Sequence, residues 1–268
     1  MRLTKIILIL AVFLSNSFGI AQDLKTGLEV MKTYQQRTQI DFLSSQINYR
    51  NHSKKGRIQE RSLQQFIMRD TDAKDCYAFL LRFEAPRDVR GTSTLTIQNE
   101  KKADQQWLYL PALRMTKRIS PSKKTGRFMG TELTYEDLNN YLSEPLDKYN
   151  YEILGREIID QRDCYKIQAK AMDEEELRHS GYSARVIFID KQNFTVLKTE
   201  FYDKSGKLLK IFKAMDIRQL NNGSQFRAFS VEIKNVQTGN WTEIFYKDIE
   251  IDKPIDDRIF TLNYLQSK

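Results

Sequence analysis

Phe83-Glu84-Ala85-Pro86-Arg87-Asp88-Val89-Arg90-Gly91-Thr92, then Trp107-Leu108-Tyr109-Leu110-Pro111-Ala112-Leu113-Arg114, then Phe128-Met129-Gly130-Thr131-Glu132-Leu133-Thr134-Tyr135-Glu136-Asp137-Leu138 follow one another along the first half of the chain. Pro86 and Gly91 bracket a turn between two strand-like runs, Pro111 stops the Trp107 run, and Gly130 permits a close backbone approach before a helical segment. Thr134 and Asp137 have the spacing of a variant capping box, after which Leu138, Tyr141 and Leu142 make a short apolar stripe and Pro145 is expected to end the helix. In the Trp107 run successive side chains face opposite ways, so Trp107 and Tyr109 share one face and Leu108 and Leu110 the other. That strand is apolar on both sides, so its second face is expected to meet something greasy.

Outward from this block the chain reads mainly as strands rich in aromatic and β-branched residues. Runs at 61–68, 77–83, 93–98 and 106–110 form a first group; 151–158, 164–171, 184–190, 195–202, 208–219, 226–236 and 241–251 form a second. Asp203-Lys204-Ser205-Gly206, Asn221-Asn222-Gly223-Ser224 and Thr238-Gly239-Asn240 supply turn residues that tolerate positive φ, so neighbours connect directly and the sheet should be mainly antiparallel. About eleven strands in one meander twist strongly and tend to curl. From Asp23 to about Gln39, the residues Leu24, Leu28, Met31 and Tyr34 recur at helical spacing on an otherwise polar segment. No internal repeat or low-complexity linker divides the chain, which predicts one domain over residues 22–268.

The N-terminus has the charged, apolar, small-residue order of a secretory signal peptide: Arg2 and Lys5, an apolar run from Ile6 to Phe13, and Gly19-Ile20-Ala21 before Gln22. The expected cleaved segment is 1–21, since the apolar run falls short of the roughly 20 residues that span a bilayer. No cysteine follows the cleavage site, so the mature protein is not read as a lipoprotein itself. The net charge of +8 permits attraction to anionic surfaces without demanding it. Export also puts Cys76 and Cys164 where a disulfide persists, but each sits in an Asp-Cys-Tyr triplet and reads equally as a small buried residue. His52 and His179 lack ligand-like spacing, and there is no phosphate cradle, nucleophile elbow or zinc helix. No cofactor, metal or catalytic residue is expected.

The three quoted segments together resemble the LolA-like family of outer-membrane lipoprotein-sorting proteins, closer to its uncharacterised branch than to the best-studied lipoprotein chaperones. Asp257-Arg258-Ile259-Phe260-Thr261-Leu262 also looks like the family's closing strand. The resemblance implies an α+β fold that is mainly β, a curved antiparallel half-barrel of about eleven strands with helices over its concave face and an apolar cavity for acyl chains between them. It implies a monomeric periplasmic carrier, not an enzyme, loaded by an inner-membrane donor and emptied by an outer-membrane acceptor, with a lipoprotein or another lipid as cargo. A sensor or adaptor of an envelope complex or export pump, and a structural partner with a filled core, are the rival readings on the same scaffold. The candidate cavity residues are Leu28, Met31, Phe79, Leu81, Trp107, Tyr109, Phe128, Met129, Leu138 and Leu142. Arg114, Lys117, Arg118, Lys123, Lys124 and Arg127 form a run with no acidic residue among them, read either as a solvated loop or as a contact with anionic headgroups or an acidic partner at the cavity mouth.

Overall fold

Alternation along the strands decides the architecture. In β3 (Tyr77–Ala85) the residues Tyr77, Phe79, Leu81 and Phe83 face one side while Ala78 and Leu80 face the other, and both sets are buried. A strand covered on both faces needs a layer on each side of the sheet. The computed structural model, which describes residues 24–73, 76–120, 123–140, 143–220, 223 and 225–267, supplies both layers. The expected signal peptide lies outside the described residues, as do Tyr141 and Leu142.

One antiparallel sheet of 13 strands carries the fold. Besides β3, its first half comprises β1 (Phe42–His52), β2 (Ile58–Arg69), β4 (Ser93–Ile97), β5 (Gln105–Leu110) and β6 (Met115–Arg118). The second half comprises β7 (Tyr149–Ile159), β8 (Arg162–Ala171), β9 (Ala184–Asp190), β10 (Val196–Tyr202), β11 (Leu208–Gln219), β12 (Phe226–Asn235) and β13 (Trp241–Ile251). The order β6-β5-β4-β3-β2-β1-β13-β12-β11-β10-β9-β8-β7 makes two meanders joined where the first strand meets the last. In that seam Asn48 lies opposite Phe245 and Tyr49 opposite Ile244. The sheet does not close, so it curves into a half-barrel with edges at β6 and β7.

Helices α1 (Gly27–Thr38) and α2 (Tyr135–Asn139) pack on the concave side. α1 opens on a capping box in which Thr26 accepts from the Glu29 amide and the Glu29 carboxylate accepts from the Thr26 amide. It buries Val30 and Met31 against Tyr165, Ile167, Ile187 and Ile189. Gly27 is required there, since a Cβ would come within 2.7 Å of the Tyr151 backbone. The expected helix from Asp23 is therefore shorter at its start, and Leu28 points outward, 38% exposed. α3 (Glu174–His179) bridges β8 and β9.

The convex side of β2–β5 is covered by the C-terminal segment. Residues 257–262, expected as a closing strand, instead form a 3-10 turn (Asp257–Phe260) leading into α4 (Leu262–Gln266). Phe260 and Leu265 pack on Ala78, Leu80 and Leu95, with Trp107 and Tyr109 against the same cluster. That face of the first meander is thereby covered, and the closing strand is β13. Cys76 and Cys164 are both buried, one just before β3 and the other in β8, eight strands apart, and they do not join in a disulfide. Burial pushes the Cys164 thiol up to about 11, consistent with a small buried side chain and not a reactive one.

Candidate functional site

On the concave side of β1–β5 and β13 the described residues place only the short α2, not a long helix. Over it lies the segment 123–140, which includes the capped α2 and acts as a roof. Thr134 caps α2 by accepting from the Asp137 amide, and the Asp137 carboxylate accepts from the Thr134 amide, as the spacing predicts; α2 stops at Asn139, well before Pro145. Ahead of it the chain folds back on itself, with the Phe128 amide donating to the Leu133 carbonyl at 2.7 Å and the Tyr135 amide to the Gly126 carbonyl at 3.2 Å. Met129 and Gly130 take positive φ at that reversal.

Between roof and sheet is a cavity of about 70 Å³. Its walls are Ile47 and Tyr49 on β1, Leu63 and Gln65 on β2, Phe79 and Leu81 on β3, and Ile244 and Tyr246 on β13. Thr94 and Thr96 of β4 and Gln106 of β5 complete the floor, and Phe128, Thr131, Leu133, Tyr135, Asp137 and Leu138 form the roof. Phe128 stands edge-on to Tyr135 at 5.6 Å between ring centres and tilts against Phe83 at 6.1 Å. A dry cavity of about 150 Å³ admits one benzene. The present one is about half that size, too small for a long acyl chain with the roof in this position.

Discrete polar contacts hold the roof down. Lys210 on β11, 2% exposed, donates to the Glu132 carbonyl at 2.9 Å and pairs with the Asp137 carboxylate at 2.5 Å. The Tyr182 hydroxyl donates to the other Asp137 oxygen at 2.8 Å, and burial next to that carboxylate lifts the Tyr182 pKa well above its ordinary value. Glu132 accepts from the Asn235 side chain at 3.0 Å and is paired with Arg127, while the Glu132 amide donates to the Thr242 hydroxyl at 3.0 Å. The Met129 carbonyl accepts from Arg61 at 2.9 Å. Glu136 accepts from the Ser180 hydroxyl at 2.5 Å and the Gly181 amide at 2.7 Å, and burial raises its pKa above the ordinary 4.5. Toward β5 the Asn139 side chain donates to Asp104 at 2.7 Å and Gln98 donates to the Asn139 carbonyl at 2.6 Å.

Beyond the roof, Glu144 gathers Arg185 at 3.0 Å and the Tyr151 hydroxyl at 3.0 Å, while its carbonyl accepts from Gln35 of α1 at 2.6 Å. Burial works against the Arg185 charge, and the adjoining Glu144 carboxylate holds it protonated all the same. These contacts anchor the far end of the roof to the helix side of the barrel.

Of the candidate cavity residues, Phe79, Leu81, Phe128 and Leu138 line the cavity together. Met129 packs on the same cluster just outside it. Met31 is buried under α1 in the second half of the barrel. Trp107 and Tyr109 are a correction: they share the face of Leu95, under the C-terminal helix, because pairing of Leu95 with Trp107 fixes that parity. Leu142 lies outside the described residues. In the basic run, Lys124 reaches Asp104 at 3.7 Å and Arg127 holds Glu132 and the Thr131 carbonyl, whereas Arg114, Lys117, Arg118 and Lys123 are exposed. β6 carries Lys117 and Arg118 beside β5, and the chain passes from it into the roof.

The residues missed from sequence are polar or come from missed strands. Lys210 sits in the run Leu208-Leu209-Lys210-Ile211-Phe212, and a lysine at a buried parity position of a long strand is the one signal that marks it. Among the described residues no cluster of His, Cys, Asp or Glu could hold a metal ion, and no helix is long and apolar enough to cross a membrane.

Comparison with known proteins agrees with this geometry. A family model described as "Uncharacterized protein" matches residues 74–267, and no curated protein matches the chain. A Vibrio parahaemolyticus domain described as an outer membrane lipoprotein-sorting protein superposes with a TM-score of 0.82 at 31% identity, covering 90% of this chain and 98% of that one. A DUF1329 family protein from Desulfovibrio piger gives a TM-score of 0.82 at 25% identity, over 89% of this chain and 97% of that one. A LolA superfamily protein from Nitrosomonas europaea shares the fold, with a TM-score of 0.67 at 19% identity over 90% of this chain and 100% of that one. With the half-barrel, the roofed concave face and the matched length, the chain belongs to the LolA-like family of outer-membrane lipoprotein-sorting proteins, in its uncharacterised branch.

Proposed function

We propose that the chain is a periplasmic carrier that takes acyl chains of lipoproteins or lipids into this cavity and passes them toward the outer membrane. The observation that carries the reading is a largely apolar cavity between sheet and roof, closed by Phe128, Leu133 and Leu138 packed over it and by separate, breakable polar contacts around them. Exposing an acyl chain to water costs roughly 0.8 kcal/mol per CH₂, so such cargo needs a shelter to cross an aqueous compartment. A roof pinned by a few polar contacts can open for loading and reclose without unfolding the barrel. Removal of residues 1–21 on export places the mature chain in that compartment. Arg114, Lys117, Arg118 and Lys123, exposed beside the strand that feeds the roof, suit an anionic membrane surface or an acidic donor or acceptor. The reading involves no catalysis and no cofactor.

Native mass spectrometry of the mature protein from its own periplasm, followed by lipid extraction, tests it. A stoichiometric lipid or acylated protein is expected. An empty protein that also refuses added acyl probes overturns the carrier reading.

A further inference from the structure

The floor of the cavity is more polar than shelter of hydrocarbon requires. On β4 the alternation is strict: Leu95 faces the C-terminal helix, whereas Thr94 and Thr96 face the cavity. Valine has almost the same shape and suits a strand equally. A hydroxyl there loses its water and gains nothing in return unless something hydrogen-bonds to it. Neither threonine makes a side-chain hydrogen bond among the described residues, and they are only 5% and 6% exposed. Next to them, Gln106 of β5 is 2% exposed; its Nε2 reaches the Tyr135 carbonyl at 3.5 Å, and its Oε1 is fully enclosed with no partner. Gln65 accepts from Ser45 at 3.0 Å through Oε1, leaving its amide nitrogen unengaged.

Charge narrows what can satisfy these groups. Asp137 is the one ionisable carboxylate lining the cavity, and Lys210 and Tyr182 already engage both of its oxygens. No lysine or arginine lines the cavity, so a phosphate or carboxylate entering it would be buried without a countercharge. We infer that the floor formed by Gln65, Thr94, Thr96 and Gln106 is a subsite for a neutral hydrogen-bonding group of the cargo: an ester, amide or hydroxyl at the junction of acyl chain and head. The polar residues of β4 and β5 lie toward the sheet edge, and Ile47, Tyr49 and Ile244 lie at the seam of β1 and β13. Cargo is thereby oriented, with its chain toward the seam and its head toward the β5–β6 edge.

This inference rests on the carrier reading, and the test separates the two. The mature protein is loaded with 1,6-diphenylhexatriene, a hydrocarbon probe, and titrated with hexadecane, palmitate and 1-monopalmitoylglycerol. Two net hydrogen bonds of about 0.7 kcal/mol each give the monoglyceride roughly a tenfold advantage over both competitors. In Thr94→Val/Gln106→Leu that advantage falls to within about twofold while the probe still binds. If the double variant does not fold, Thr96→Val supplies the same comparison, with about a threefold loss from one hydroxyl. Equal displacement by all three ligands, or an advantage untouched by the substitutions, overturns the subsite and leaves the carrier reading standing. A wild-type protein that takes up neither probe nor lipid overturns both.

Discussion

Lys210→Met isolates the contact that holds the roof most firmly. The side chains of Lys210 and Asp137 are 3% and 7% exposed, and the ammonium also serves the Glu132 carbonyl, so one side chain fastens two points of the roof. Removing one partner of a buried ion pair costs about 3–5 kcal/mol, because the other charge stays behind uncompensated. Asp137 retains the Tyr182 hydroxyl and the Thr134 amide, which places the loss near the lower end, about 3 kcal/mol. Urea unfolding followed by the fluorescence of Trp107 and Trp241 reads the global term. Hydrogen exchange at the amides of Phe128, Thr131 and Tyr135, which bond within the roof, reads the local one. Opening made easier by about 3 kcal/mol accelerates their exchange roughly a hundredfold. Asp137→Asn in the same chain should recover part of the loss, with a coupling of about 2 kcal/mol in the double-mutant cycle. A loss below about 1 kcal/mol with unchanged roof exchange refutes the assignment of this pair as the main fastening.

Trp107→Ala is expected to lower stability by about 2 kcal/mol, since a half-buried indole leaves the cluster under the C-terminal helix, while uptake of a hydrocarbon probe stays unchanged; a folded variant that loses uptake would put Trp107 at the cavity after all. Burial raises the Glu136 pKa above 4.5, so in the window from that value up to the raised one the folded chain keeps a proton the unfolded chain has released. Stability therefore falls as pH rises through that window, and Glu136→Gln should flatten the slope in urea midpoints measured between about pH 4.5 and 7. An identical slope in the variant would show that other groups set it.

The second meander is legible because its strands carry regular apolar alternation and its turns carry Gly at positions of positive φ, as at Gly206 and Gly239. The first strand is not: in β1 the buried positions are Leu43, Ser45, Ile47, Tyr49 and Asn51, so polar residues dilute the period-two signal. β6 is four residues with Lys117 and Arg118 exposed, too short and too polar to register. The capping box at Thr134 was readable because it depends on local spacing alone. Which face of β5 meets the cavity was not, because a strand apolar on both sides carries no parity information and only its pairing with β4 settles the matter. The same limit hid the polar floor: Thr94 and Thr96 read as ordinary strand formers until their side is known.

The seam between β1 and β13 sets the order in which this molecule can be completed. Tyr49 meets Ile244 across 195 residues of chain, so synthesis from the N-terminus leaves that strand pairing until last. Until β13 arrives, the inner edge of β1 presents open backbone donors and acceptors, and the greasy inner surface of the first meander has only half of its walls. The nascent protein is thus a trough before it is a container. Truncation within the last thirty or so residues should leave an aggregation-prone first meander and no shortened but folded protein, because the missing piece is the keystone between the two halves.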